Sequence, residues 1–117
     1  MDIVQFVTIE DNDDLVLSFS FNEGTQFGID GFIMQRAPKF EFALMPHERA
    51  PSIDWTDEDE IITVREINLS RKVITIKTKY DLYSFDISKI SDEEFKNVIK
   101  ILKKMNFDNA FKFSQSK

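Results

Sequence analysis

The chain contains no cysteine and only one histidine, His47, among its 117 residues. Without thiols, disulfides, thiolate zinc sites and cysteine nucleophiles are excluded. A single imidazole rules out a His-pair metal site and the His-Glu-x-x-His motif of metalloproteases. Glycine is scarce too, at three residues. Gly24, Gly28 and Gly31 lack the spacing of a dinucleotide-binding turn, and no Gly-Lys-Ser/Thr follows them, so no phosphate cradle is present. No apolar run approaches the ~20 residues a membrane-spanning helix needs. Met1–Glu10 has acidic residues and no basic segment, unlike a signal peptide. The expectation is a cytoplasmic protein that needs no metal and no cofactor.

Catalytic groupings are missing as well. A Ser-His-Asp set could be drawn through His47, but no serine sits on a nucleophile elbow. Carboxylates are paired only in an exposed acidic run, where nothing would raise one pKa selectively. The segment Glu10–Asp14 (EDNDD) resembles the start of a calcium loop, yet it lacks the glycine and the distant glutamate of that loop. It is expected to be a turn, because Asp and Asn tolerate left-handed backbone and cap nearby amides. The chain does not read as an enzyme.

What is present describes a fold. The composition, 42% hydrophobic and 31% charged, is that of a soluble globular protein. The length suits one domain, 1–117, able to bury about two thirds of its unfolded surface. Twelve phenylalanines point to an aromatic-rich core. The most legible stretch is Glu60–Met105. Ile61–Leu69, Val73–Thr78 and Leu82–Ile87 are short, β-branched or alternating runs joined by the polar linkers Ser70-Arg71-Lys72 and Lys79-Tyr80-Asp81. They predict an antiparallel β-meander. In the first strand, Ile61, Thr63, Arg65, Ile67 and Leu69 fall on one face and Ile62, Val64 and Glu66 on the other. Tyr83, Phe85 and Ile87 alternate with Ser84 and Asp86 in the third.

Ser91 followed by Glu94 is a capping box, with Ile90 and Phe95 placed as a hydrophobic staple. Asp92, Glu93 and Glu94 suit a helix N-terminus, and Lys103 and Lys104 a C-terminus. The predicted helix presents Phe95, Val98, Ile99, Leu102 and Met105 as one apolar stripe, with its lysines mostly opposite. Earlier in the chain, Asp2–Ile9 predicts a strand with Ile3, Val7 and Ile9 on one face and Val4 and Phe6 on the other. Leu15–Phe21 predicts its hairpin partner, with Leu15, Leu17, Phe19 and Phe21 inward. Ile29–Arg36 reads as a third strand with Gly31 a candidate bulge, and Phe40–Met45 as a fourth strand or a short helical turn. Phe107, Phe111 and Phe113 are expected to cover an open edge or apolar corner, and Ser114–Lys117 to fray. The fold class is therefore α+β: an antiparallel sheet of about six strands with one C-terminal helix packed on a face.

Charge is divided unevenly. Residues 1–60 hold 14 acidic and 3 basic side chains, whereas 61–117 hold 7 acidic and 12 basic. Such asymmetry marks a binding surface or two halves that neutralise each other. The most function-like stretch is the long loop Pro46–Glu60, where Asp54, Asp57, Glu58, Asp59 and Glu60 surround the only tryptophan, Trp55. Long loops in compact domains are commonly functional, and an aromatic among carboxylates suits an interface anchor. The competing reading has Ile53 and Trp55 plugging the sheet while the acids stay solvated. A pI near 4.7 argues against nucleic acid as the main partner.

Taken in order, the Phe32–Arg36 segment (FIMQR), the acidic loop with Trp55, the meander, the Phe85–Ile87 strand end (FDI) and the helix ending Ile101–Met105 (ILKKM) resemble small bacterial immunity proteins of polymorphic toxin systems. That resemblance implies a non-enzymatic protein that binds and blocks a cognate toxin domain. A basic toxin domain would meet Asp54, Trp55, Asp57, Glu58, Asp59 and Glu60. The alternative is a small ligand- or lipid-binding module of PH-like shape, since a curved sheet capped by a C-terminal helix suits both.

Overall fold

The computed structural model describes residues 2–21, 31–43, 49–54 and 62–116, the side chains of residues 40, 42, 43 and 54 excepted. The sequence readings for the 22–28 connection, for His47 and for residues 55–61 fall outside this set. The elements run β1 (Asp2–Asp11), β2 (Leu15–Phe21), β3 (Gly31–Arg36), a 3-10 turn (Pro38–Ala43), β4 (Ser52–Asp54), β5 (Val64–Leu69), β6 (Val73–Thr78), β7 (Leu82–Asp86), α1 (Asp92–Met105) and β8 (Lys112–Gln115). The fold is α+β with one helix among the described residues, as expected. The sheet, however, has eight strands in the order β4-β3-β2-β1-β7-β6-β5-β8 rather than about six, and it is mixed. β1 runs parallel to β7, and β8 parallel to β5. Short linkers announce antiparallel neighbours, whereas parallel pairs join segments far apart in sequence and leave no local mark.

The sheet curls back on itself. Beyond its ladder with β3, β4 meets the approach to β5: Ser52 bridges Thr63, Ile53 N–H donates to Ile62 O at 3.0 Å, and Val64 N–H donates to Pro51 O at 2.8 Å. On the far side, β1 pairs with β7 only at Asp2 and Ile3. The helix α1 packs against β1 and β2. Phe19, Phe32 and Phe85 fill the interior, with centroid separations of 4.9–6.4 Å. Gly31 is not a bulge; it stands opposite Ser20, and a Cβ there would lie 2.8 Å from Phe19 O, so the close strand approach requires glycine.

Two strands depart from simple alternation for one reason. In β1 the register shifts between Val4 and Phe6, and in β5 between Val64 and Glu66. Each bulge adds a residue to its strand and reverses which parity faces inward. Hence Val4 is buried and Val7 and Ile9 pack on the core, while Ile3 and Phe6 are exposed. Around β5, Ile62 on the approach and Val64 at the start are buried before the bulge and Ile67 and Leu69 after it, on one common side. The strict two-residue period assigned to both strands was therefore broken midway.

The capping box closes as expected: Ser91 Oγ accepts from Glu94 N–H and Glu94 Oε1 accepts from Ser91 N–H, both at 3.1 Å. Glu94 does a second task. Its Oε2 accepts the Val7 N–H at 2.9 Å, a donor just past the β1 bulge and beyond the reach of β7. The buried stripe is Val98, Ile101, Leu102 and Met105, with Phe95 and Ile99 only partly covered. Phe95, expected to be buried, is only partly so, and the Arg71 guanidinium lies over its ring, 5.2 Å from the centroid. Leu102→Ala, at a site with no exposure, should cost about 2–5 kcal/mol. A urea titration reading less than about 1 kcal/mol would mean that the core collapses readily around the gap.

After α1 the chain turns on two asparagines. Asn106 N–H bonds the Leu102 and Lys103 carbonyls, and Asn109 takes a left-handed φ of 56° that asparagine tolerates. Phe111 is buried and Phe113 packs on the core, so the C-terminal phenylalanines do cover the sheet. Phe107 does not; it is exposed. Nor do residues 114–116 fray, since Ser114 and Gln115 belong to β8 and Ser116 N–H donates to Leu69 O at 2.8 Å.

Candidate functional site

Of the residues picked out in the sequence, only the backbone of Asp54 is described: it ends β4, opposite Ile33. Trp55, Asp57, Glu58, Asp59 and Glu60 lie outside the described residues. The roots of their loop are nonetheless fixed. Pro51 and Ile53 on one side and Ile62 and Val64 on the other form an antiparallel stem through the two hydrogen bonds given above. The acidic run thus starts and ends on a hydrogen-bonded base at the β4 margin of the sheet.

A second charged site was not read from the sequence. Arg36 ends β3 with its side chain fully enclosed. Its Nε donates to Glu41 Oε2 at 2.9 Å and its Nη2 to Glu41 Oε1 at 3.1 Å, a fork-to-fork pair. Asp108 takes a second pair, Oδ1 from Nη1 at 2.9 Å and Oδ2 from Nη2 at 2.8 Å. The last donor on Nη1 reaches Met105 O, at the end of α1, at 2.6 Å. All five N–H groups of the guanidinium are therefore used, which ties β3, the 3-10 turn and the C-terminus of α1 together. The Phe107 ring lies across the guanidinium, 4.4 Å from carbon to centroid. A signal did exist: Arg36 has the parity of the inward residues Phe32 and Met34, and an inward arginine demands carboxylates.

The electrostatics follow from these contacts. Burial lowers the Arg36 pKa, but hydrogen bonds and charge from Asp108 and Glu41 outweigh it and the net shift is upward. Hydrogen bonding to Arg36 holds the Asp108 carboxyl below its ordinary range, against the opposing effect of desolvation. Glu94 is likewise lowered, by the Ser91 backbone donor first and the Val7 donor second. Each depressed carboxyl contributes stability that is complete above its unfolded pKa of about 4 and is lost as pH falls through the folded value. Urea midpoints should hold steady from pH 7 to about 5 and then drop toward pH 2. Glu94→Gln should flatten part of that drop; an unchanged acid limb would show that the carboxylate contacts do not survive in solution.

Elsewhere at this end of the sheet, Lys104 pairs with Asp11 and Lys39 with Asp13 at 3.7 Å. These are exposed pairs, of small energetic weight. Among the described residues no group of three or more metal-ligating side chains is gathered, and no helix is long and apolar enough to cross a membrane. The chain matches no protein-family model, no curated protein and no solved structure. What the described residues offer chemically is a hydrogen-bonded base on either side of the acidic stretch of sequence, and a separate corner where two carboxylates meet one arginine.

Proposed function

We propose that this protein is a non-enzymatic, immunity-type inhibitor that binds and neutralises a cognate basic toxin domain through its acidic surface. The observation that carries the reading is the confinement of acidic excess, 14 acidic against 3 basic side chains, to residues 1–60, together with the fixed stem that roots its most acidic loop. An acidic inhibitor gains association rate from complementary fields and can occlude a cationic active site. Asp54, Trp55, Asp57, Glu58, Asp59 and Glu60 would make the contact. The alternative, a ligand- or lipid-binding module of PH-like shape, draws less support, because aromatic rings occupy the space that the curled sheet encloses.

The test is co-expression with a basic toxin domain from a gene neighbouring the one that encodes this chain, should the neighbourhood hold one. Growth should be restored and a stable complex should elute on size exclusion, with His47→Ala as effective as the native chain. Continued toxicity without a complex would reject the reading, and so would a turnover that the His47 substitution abolishes.

A further inference from the structure

The Arg36 corner carries an imbalance that its internal contacts leave in place. One guanidinium faces two carboxylates, and its five donors are all committed. Glu41 is closed in, with a side chain 10% exposed, whereas the Asp108 side chain is 37% exposed. The surplus negative charge is therefore accessible at Asp108. Beside it stands Phe107, 59% exposed, one of the few large apolar side chains left in water among the described residues. Arg36 lies over this ring, so the phenyl is held in place by a buried cation. The two lysines of the last turn of α1 add no ion pair here: Lys104 pairs with Asp11, and among the described residues Asp108 pairs with Arg36 alone.

We propose that Phe107 and Asp108 form a docking point for a cationic side chain of a protein partner, an arginine stacking on the open part of the ring and pairing with the carboxylate. Aromatic faces attract cations on either side, since the ring quadrupole is negative above and below. A fixed exposed ring next to an exposed carboxylate matches the planar, fork-shaped guanidinium better than the compact ammonium of lysine. The ring loses little freedom on binding, because Arg36 already orients it. The corner lies apart from the acidic loop: it is built at the Arg36 end of β3, whereas Asp54 leads into the loop opposite Ile33, toward the other end. The proposal rests on the toxin-binding reading only for the identity of the partner, not for the chemistry of the corner.

The competing role for Phe107 is a lid that merely shields Arg36 from water. A titration of the isotope-labelled full chain with a blocked tetra-arginine peptide, followed by NMR, separates the two. Backbone shifts at residues 106–109 should saturate with their own binding curve, separate from any response of the acidic stretch, and should shrink as salt rises. Phe107→Leu keeps an apolar cover and should leave the melting temperature in place, yet weaken the peptide by about two- to fivefold. Asp108→Asn should weaken the peptide at residues 106–109 and reduce the salt dependence of the shifts read there. Absence of saturable shifts at residues 106–109, or native affinity there in Phe107→Leu, would overturn the proposal. The peptide needs no toxin, so a failed co-expression test with an intact peptide site would reject the immunity reading and leave the docking point standing.

Discussion

Arg36→Ala should be the most damaging single substitution outside the apolar core, lowering stability by about 3–5 kcal/mol. The substitution strands Glu41, whose residue is 8% exposed, with a charge that has lost both of its hydrogen bonds to the guanidinium. It also frees Met105 O at the end of α1 and cuts the chain's tie through Asp108, just before β8. For a domain of this size the melting temperature should fall on the order of 10–20 °C. Amide exchange should quicken in β8 more than in β6, because β8 follows the released turn while β6 is held on both sides by β5 and β7. Arg36→Lys should recover little, since an ammonium has three donors and no fork to match five acceptor contacts. Replacing Arg36 and Glu41 together by apolar residues should be milder than Arg36→Ala, because removing both partners leaves no buried charge. If Arg36→Ala costs less than about 1 kcal/mol, the cluster's Coulomb gain merely offsets its desolvation and the surrounding packing holds this end of the sheet.

The second large effect is on binding. If the protein is the toxin inhibitor proposed above, reversing charge at Asp57, Glu58, Asp59 and Glu60 together should slow association with its partner far more than it speeds dissociation. The field of four carboxylates steers encounter, and steering by exposed charges can change association rates by about 10–1,000-fold. The deficit should narrow with salt, since charges more than about 8–10 Å apart are screened at physiological ionic strength. Trp55→Ala should act mainly on dissociation, at a cost on the order of 2 kcal/mol or more if the ring is a buried anchor. The melting temperature should barely move in the charge variant, because four charged side chains between the hydrogen-bonded roots at Ile53 and Ile62 add no apolar burial to lose. Stopped-flow kinetics across a salt series checks both variants. Unchanged, salt-independent kinetics in the quadruple variant would remove this loop from the interface.

The helix was the most legible part of the chain because its signals are local. A capping box spans four residues, and Ser91 and Glu94 make it as written. The antiparallel neighbours β1–β2, β5–β6 and β6–β7 were legible for the same reason, since linkers of three residues favour pairing of the strands they join. Inward faces were legible only as far as the strands kept their period. Leu15, Leu17, Phe19 and Phe21 alternate without a break and are all buried; β1 and β5 change parity at bulges, which no composition rule locates. The candidate site was less legible still. The acidic loop stands out by composition, but Arg36, Glu41 and Asp108 are separated by up to 72 residues, and no spacing rule connects them.

The sequence by itself therefore determined the α+β class, the helix with its cap and apolar stripe, the meander, and the absence of thiol and His-pair chemistry. These depend on residue identity and on neighbours within a few positions. Only the tertiary structure decided that the sheet has eight strands and curls until β4 meets the approach to β5, that β1 and β8 join it in parallel, and that Glu94 serves β1 as well as its own helix. It also decided that Arg36 is enclosed with two carboxylates and leaves Phe107 and Asp108 in water. Each of these depends on which distant segments share an edge or a corner, and chain-wide packing of the core fixes that choice.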